Sequence, residues 1–166
     1  ISEYYKISEN KIFVTPNAVS EDFSEVSISQ EFFKEKHALD KYILYVSRIE
    51  PRKNHIALLK SFNELNLKDE GYKLVFIGVN DIVSKELELY KAEFAKELKS
   101  SVLWLEGIPF KELKAFYKYC NLFVFPSFAE GFGIPPLEAI VMEKKVLCSN
   151  ATAMQDFNFP DQMIFN

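Results

Sequence analysis

The 166-residue sequence is poor in the residues that build metal and redox sites. It holds two cysteines, Cys120 and Cys148, and two histidines, His37 and His55. Each cysteine stands at the edge of an apolar run. A small core side chain in a reducing compartment is the ordinary role there, and a disulfide or catalytic thiol the rarer one. The histidines are too few and too far apart to suggest a metal site. Basic residues are not in excess: 20 Lys and Arg stand against 24 Asp and Glu, a formal net charge of −4. That balance excludes a nucleic-acid footprint, which needs clustered cations. Any phosphate recognition must rest on a few placed cations and on backbone N–H groups. No glycine-rich loop of the P-loop or dinucleotide type follows a strand, which argues against a nucleoside triphosphatase or an NAD enzyme. No run approaches the roughly 20 apolar residues of a membrane span, and no stretch of the sequence has a signal-peptide pattern. These absences lead us to expect a cytoplasmic protein. The first residue is Ile1 rather than Met, and the last three, Ile164-Phe165-Asn166, look like mid-element, so a fragment of a larger protein is expected.

What is present is an ordinary globular composition, 48% hydrophobic and 27% charged. A chain of this length is about one domain, able to bury roughly 70% of its unfolded surface. Short apolar runs alternate with amphipathic stretches. Strands are expected at 42–47, 73–78, 102–107, 121–127 and 145–150, with a last short one at 163–165. Helices are expected at 53–65, 84–99, 110–120 and 135–144, where apolar residues recur every three or four positions. Strands without clean alternation, separated by helices, indicate parallel βαβ units. The fold class is therefore α/β, a doubly wound parallel sheet. Residues 1–40 differ: they are polar and irregular, with one short strand expected in IFVTPNAV (12–19), and they read as a lead-in. The sheet domain proper is expected over 41–166.

Doubly wound sheets bind ligands outside the carboxyl ends of their strands. Two such ends carry chemistry. After the first strand, Arg48, Arg52 and Lys53 fall within six residues, ahead of a helix whose first N–H groups are unpaired. This suits an anion such as a diphosphate, and a solvated basic loop is the other reading. After the strand 121–127 comes FAEGFGIPPLEA. There Glu130 and Glu138 bracket a Gly131-Phe132-Gly133 turn, and Pro135 and Pro136 suit a first helical turn. The glycines would let a ligand approach the amides of 131–134. A rim glutamate offers two acceptors to a vicinal diol such as ribose or a sugar ring. A glycosidase-type carboxylate pair fits poorly, because both come from one short loop.

Taken together, Arg48 and Lys53 followed by EGFGIPPLEA resemble the donor domain of retaining GT-B-fold glycosyltransferases, the group of α-mannosyl- and α-glucosyltransferase relatives. The likeness extends over roughly residues 10–166, including TPNAVSEDF, WLEGIPFKELKAFYKYC and SNATAMQDF. It implies a Rossmann-like sheet forming one half of a two-domain enzyme. It implies that Arg48 and Lys53 bind the donor diphosphate and that Glu138 holds the ribose hydroxyls. Glu130 and the backbone of Gly131, Phe132, Gly133 and Ile134 would meet the transferred sugar and its phosphate, while Ile108 would lie against the base. It further implies a nucleoside-diphosphate sugar as substrate, no metal and no cofactor. The acceptor, a saccharide or lipid-linked sugar, would be held by an N-terminal domain, and the full-length protein would be peripheral to the membrane. PRKN and EGFGIPPLEA lean towards mannose and surface polysaccharide synthesis. A non-catalytic nucleotide-binding module and a nucleotide-sugar epimerase of the same architecture are the alternatives. Ser47 and Asn54 depart from a frequent glycine, Ala18 from Asn-Gly, and Lys144-Lys145-Val146 from the usual Gly and Pro.

Overall fold

A computed structural model describes all 166 residues. The chain opens with a single helical turn, α1 (Ser2–Tyr5), 3-10 turns at Glu9–Lys11 and Glu21–Ser24, and α2 (Gln30–His37). Then come β1 (Tyr42–Val46), a 3-10 turn (Pro51–Lys53), α3 (His55–Glu64) and β2 (Lys73–Ile77). The middle runs through α4 (Lys85–Glu93), α5 (Ala95–Leu98), β3 (Val102–Leu105) and α6 (Phe110–Tyr119). The last part is β4 (Leu122–Phe125), α7 (Ile134–Val141), β5 (Val146–Ser149), 3-10 segments at Thr152–Phe157 and Asp161–Met163, and β6 (Ile164–Phe165).

All pairings are parallel, and the sheet order is β3-β2-β1-β4-β5-β6. The chain winds outward from β1 to β3, crosses over, and winds out the other way from β4. The order therefore reverses between β1 and β4, which sets the ligand crevice of such a sheet at the carboxyl ends of those two strands. The loops that follow them are the two the sequence marks.

The strands are apolar on both faces because helices cover both. Leu44, Tyr45, Leu74, Val75 and Phe123 have no exposure at all. Buried tyrosines bring a hydroxyl that needs a partner. Tyr42 satisfies this by donating to the Phe116 carbonyl at 2.6 Å. Two helices start on side-chain caps: Ser29 Oγ accepts from the Phe32 N–H and Ser84 Oγ from the Leu87 N–H. Each cap answers one of the unpaired amides of a first turn and stabilises by about 1 kcal/mol.

Three departures from the sequence expectation stand out. The helix expected at 84–99 breaks at Phe94, whose ψ of 16° ends α4 before α5 begins; no glycine or proline marks the break. No strand forms at 12–19. Phe13 and Val14 are 84% and 91% exposed, and no sheet edge pairs with them, so β-propensity has nothing to hydrogen-bond. Residues 21–39, expected as a lead-in, pack against α6. Phe23 meets Tyr117 edge-on at 5.3 Å, Phe33 meets Phe116 at 4.9 Å, and Tyr119 donates to the Ile28 carbonyl.

Candidate functional site

The loop after β1 is built around Lys53. The turn Pro51–Lys53 ends on Asn54 in the left-handed region, φ 55°, and α3 starts at the next residue. Asparagine tolerates that conformation better than any residue but glycine, which accounts for its standing where glycine is frequent. Its side chain also donates to the Pro126 carbonyl at 3.2 Å, tying the β1 loop to the β4 loop. Beneath the turn, the buried Tyr45 hydroxyl donates to the Lys53 carbonyl at 2.7 Å and lies 3.1 Å from Ser127 Oγ. Ser149 Oγ donates in turn to the Ser127 carbonyl. Hydroxyls from β1 and β5 and from the segment after β4 thus fix the backbone from which Lys53 projects.

The Lys53 ammonium meets Glu130 from the other loop. Nζ donates to Oε1 at 2.6 Å and to Oε2 at 2.8 Å, and the two side chains are only 10% and 8% exposed. Arg52 Nη1 reinforces the junction, donating to the Ala129 carbonyl at 2.9 Å and reaching Glu130 Oε2 at 3.4 Å; its Nε holds Glu50 at 2.8 Å. Glu130 is therefore an inward anchor and not the free rim acceptor that its loop position suggested. Arg48 stands apart. Its side chain is 70% exposed and pairs with Asp81 at 3.2 Å.

On the β4 side, Gly133 is the left-handed N-cap of α7, φ 90°, and Pro135 and Pro136 occupy its first turn. Gly131 is exposed and lies outside the left-handed region, so of the two glycines only Gly133 uses a conformation that favours glycine. Phe132 turns onto Phe157 edge-on at 5.2 Å, and Ile134 opens α7 half-buried. Glu138 is the fifth residue of that helix, a turn deeper than the mouth. Its Oε2 accepts from the Tyr117 hydroxyl at 2.6 Å, and it makes no other side-chain hydrogen bond. Burial pushes the Glu138 carboxyl above the ordinary carboxylate range, and the Tyr117 hydrogen bond offsets part of this. Burial also holds the Tyr117 hydroxyl well above its usual range, so it stays protonated and donates. Ile108 is half-buried on the loop after β3 and packs on the core.

Residues 27–160 match the family described as Glycosyl transferases group 1. The chain belongs to that family. A serotype-specific mannosyltransferase, WbdA, from Escherichia coli is 33% identical over 171 aligned positions, covering all of this chain and 21% of that protein. The O-antigen chain mannosyltransferase RfbU of Salmonella typhimurium is 30% identical over 90% of this chain and 38% of its own length. The chain thus spans between about a fifth and two fifths of these curated relatives. Among solved structures, a Rickettsia africae glycosyltransferase superposes with a TM-score of 0.75 at 22% identity, over 99% of this chain and 45% of the other. Anabaena HepE in complex with UDP-glucose gives 0.68 at 17% identity, over 84% and 40%. The parallel six-stranded sheet is the Rossmann-like GT-B fold of these glycosyltransferases.

Within this glycosyl transferase group 1 chain, the tertiary structure joins Lys53 to Glu130, and leaves Arg48, Glu138 and Ile108 each with separate neighbours. It also adds residues that sequence reading passed over. Tyr45, Ser127 and Tyr117 look like core residues in the sequence, and only their hydroxyl partners reveal otherwise. His55, at the start of α3, is buried between Tyr45, Phe76 and Trp104, with Nε2 3.2 Å from Ser47 Oγ. Burial, helped by the nearby Lys53 and Lys91 charges, lowers its pKa to about 3, so it is neutral near pH 7. No helix is long and apolar enough to cross a membrane.

Proposed function

We propose that this chain is the donor-binding half of a retaining glycosyltransferase, transferring a hexose from a nucleoside-diphosphate sugar to a saccharide or lipid-linked acceptor in surface polysaccharide synthesis. The observation that carries this reading is the convergence of Lys53, Arg52 and Glu130 at the β1–β4 crossover of a group 1 chain. Two relatives named as mannosyltransferases favour mannose as the hexose. The structural neighbour bound to UDP-glucose favours a nucleotide sugar as the ligand class.

The chemistry follows from the charges. An ammonium has three donors, and Glu130 takes two of Lys53's, leaving one for a phosphate oxygen. Arg48, exposed and held only by a surface ion pair, can turn onto the same diphosphate. As the bond from the anomeric carbon to phosphate breaks, its electron pair goes to the leaving diphosphate, and these cations stabilise the charge that grows there. The free oxygen of Glu138 would accept from a ribose hydroxyl. Backbone N–H groups of 131–134 and Glu130 would face the hexose and its phosphate. Ile108 would flank the base, and the acceptor would be bound by a further domain of the full-length protein, which would lie peripheral to the membrane.

Calorimetry of the chain with GDP and with UDP tests the reading. Binding of at least one is expected, and no heat with either would overturn it. A non-catalytic nucleotide-binding module would bind equally but would support no hexose transfer in the full-length protein. A nucleotide-sugar epimerase would convert the donor without any acceptor.

A further inference from the structure

We propose that Thr152 is a positioning residue for Glu130, and that the 3-10 segment it opens sets the loop Glu130–Gly133 for the sugar half of the donor. This rests on the donor-binding reading above. One hydroxyl takes up both backbone polar groups of one residue: Thr152 Oγ1 accepts from the Glu130 N–H at 2.8 Å and donates to the Glu130 carbonyl at 3.3 Å. To do so, Thr152 sits in the left-handed region at φ 47°. A β-branched residue rarely adopts that conformation, and it persists only where the surroundings impose it. Burial does not impose it here, because Thr152 is exposed. What holds it is the Met154 N–H to Ala151 carbonyl bond that spans it, at 3.1 Å, together with the two bonds to Glu130.

The same segment grips the loop twice more. Met154 is buried beneath Gly133, so closely that a Cβ on that glycine would stand 1.8 Å from its Cε. Phe157 meets the Phe132 ring edge-on. Thr152, Met154 and Phe157 therefore hold Glu130, Gly133 and Phe132 in turn. Glu130 keeps both carboxylate oxygens on Lys53 only while its backbone stays where Thr152 holds it. A loop with one position offers a hexose fixed partners; a loose one must first be ordered, which subtracts from affinity.

The test compares how much the sugar adds to binding. Dissociation constants are measured by calorimetry for GDP against GDP-mannose and UDP against UDP-glucose, using whichever pair the chain binds. Thr152→Val keeps the shape and removes the hydroxyl, Thr152→Ser keeps the hydroxyl and removes the methyl, and Glu130→Gln is the reference. In Thr152→Val the sugar-dependent gain should fall by about 2- to 10-fold, the value of one hydrogen bond. Affinity for the free diphosphate should stay within about twofold, and Thr152→Ser should keep the full gain. A Thr152→Val variant that retains the gain while Glu130→Gln loses it overturns the positioning role alone. Equal losses in the Val and Ser variants also overturn it, since the hydroxyl would then be irrelevant. No gain from the sugar in the unaltered chain, or a gain that survives Glu130→Gln, removes the role of Glu130 and this inference together. If neither nucleotide binds, the donor-binding reading falls and takes the inference with it. Melting curves check folding, and Thr152→Ala repeats the comparison should the valine variant unfold.

Discussion

Lys53 and Glu130, 77 residues apart in the chain, close on each other as a two-pronged ion pair between the β1 loop and the β4 loop. Both are almost buried, so each depends on the other for its charge to be tolerated inside the protein. The pair ties the two loops together and leaves one N–H of the Lys53 ammonium outside it.

Replacing Glu130 by Gln should therefore lower stability while sparing diphosphate binding. The loss should be about 2 kcal/mol, between the values of roughly 0–1 for exposed pairs and 3–5 for broken buried ones. For a chain of this size that is a melting temperature lower by about 4–8 °C. Affinity for GDP or UDP should hold or rise, because a competing negative charge has gone. An unchanged melting curve with weakened diphosphate binding would mean that Glu130 touches the nucleotide itself.

Glu138→Gln should act in the opposite way. A charge-assisted hydrogen bond to ribose is worth about 1.5–3 kcal/mol, so diphosphate affinity should drop roughly 10- to 100-fold. Stability near neutral pH should not fall. The folded-state pKa of Glu138 is raised above the ordinary 4.5, so the ionised carboxylate costs stability above that raised value. The cost is relieved as pH drops through it towards 4.5. Diphosphate affinity of the unaltered chain should weaken over the same window, and Tyr117→Phe should move the window to higher pH. Titrations from pH 8 to pH 4.5 on the three proteins would check both signs.

His55 titrates with the reverse sense. Its folded-state pKa of about 3 lies below the ordinary 6.5, so between these values the unfolded chain binds a proton that the folded chain refuses. Stability is full above pH 6.5 and should be lost as pH falls towards 3. Asn, Gln or another neutral residue at position 55 removes this pH dependence. A His55→Gln variant should show a flatter decline in melting temperature from pH 6.5 to pH 4, whatever its stability at pH 7.

Asn54 and Gly133 are the left-handed residues from which α3 and α7 start. Gly133→Ala should cost about 1–2 kcal/mol from its φ alone, plus whatever displacing Met154 adds. Asn54→Ala should cost about 1–2 kcal/mol, from the lost hydrogen bond to Pro126 and alanine's poorer tolerance of the left-handed region. Asn54→Gly keeps the conformation and should lose only the bond, so it should melt above Asn54→Ala. Reversal of that order would show that the turn is not set by φ.

Binding should also need no metal. The cations and amides gathered at the crossover are offered as the sole counter-charge for the diphosphate, so calorimetry in EDTA should match calorimetry with added Mg²⁺. Heat that returns only with the metal would sink this.

Much of this was open to reading from the chain alone. YILYV, LVFI and LFVF are apolar throughout because a parallel sheet is covered on both faces, and the helices between them keep a local period. Arg48, Lys53 and Glu130 are legible as loop residues because loop positions follow directly from where strands stop, and Glu138 as part of the helix that Pro135 and Pro136 open. Periodicity, turn chemistry and charge are local quantities, and they determine the elements and which residues lie at their ends. The partner of each residue is not local. IFVTPNAV has strand composition and no strand to pair with. Glu130 reads as a rim glutamate until the order β3-β2-β1-β4-β5-β6 sets its loop against Lys53. Tyr45, Tyr117 and Thr152 gain their roles from hydroxyl bonds reaching 8, 21 and 22 residues along the chain. The link from Lys53 to Glu130 depends on which strands become neighbours, a choice made by packing the whole sheet and its helices at once. Only the tertiary structure decides it.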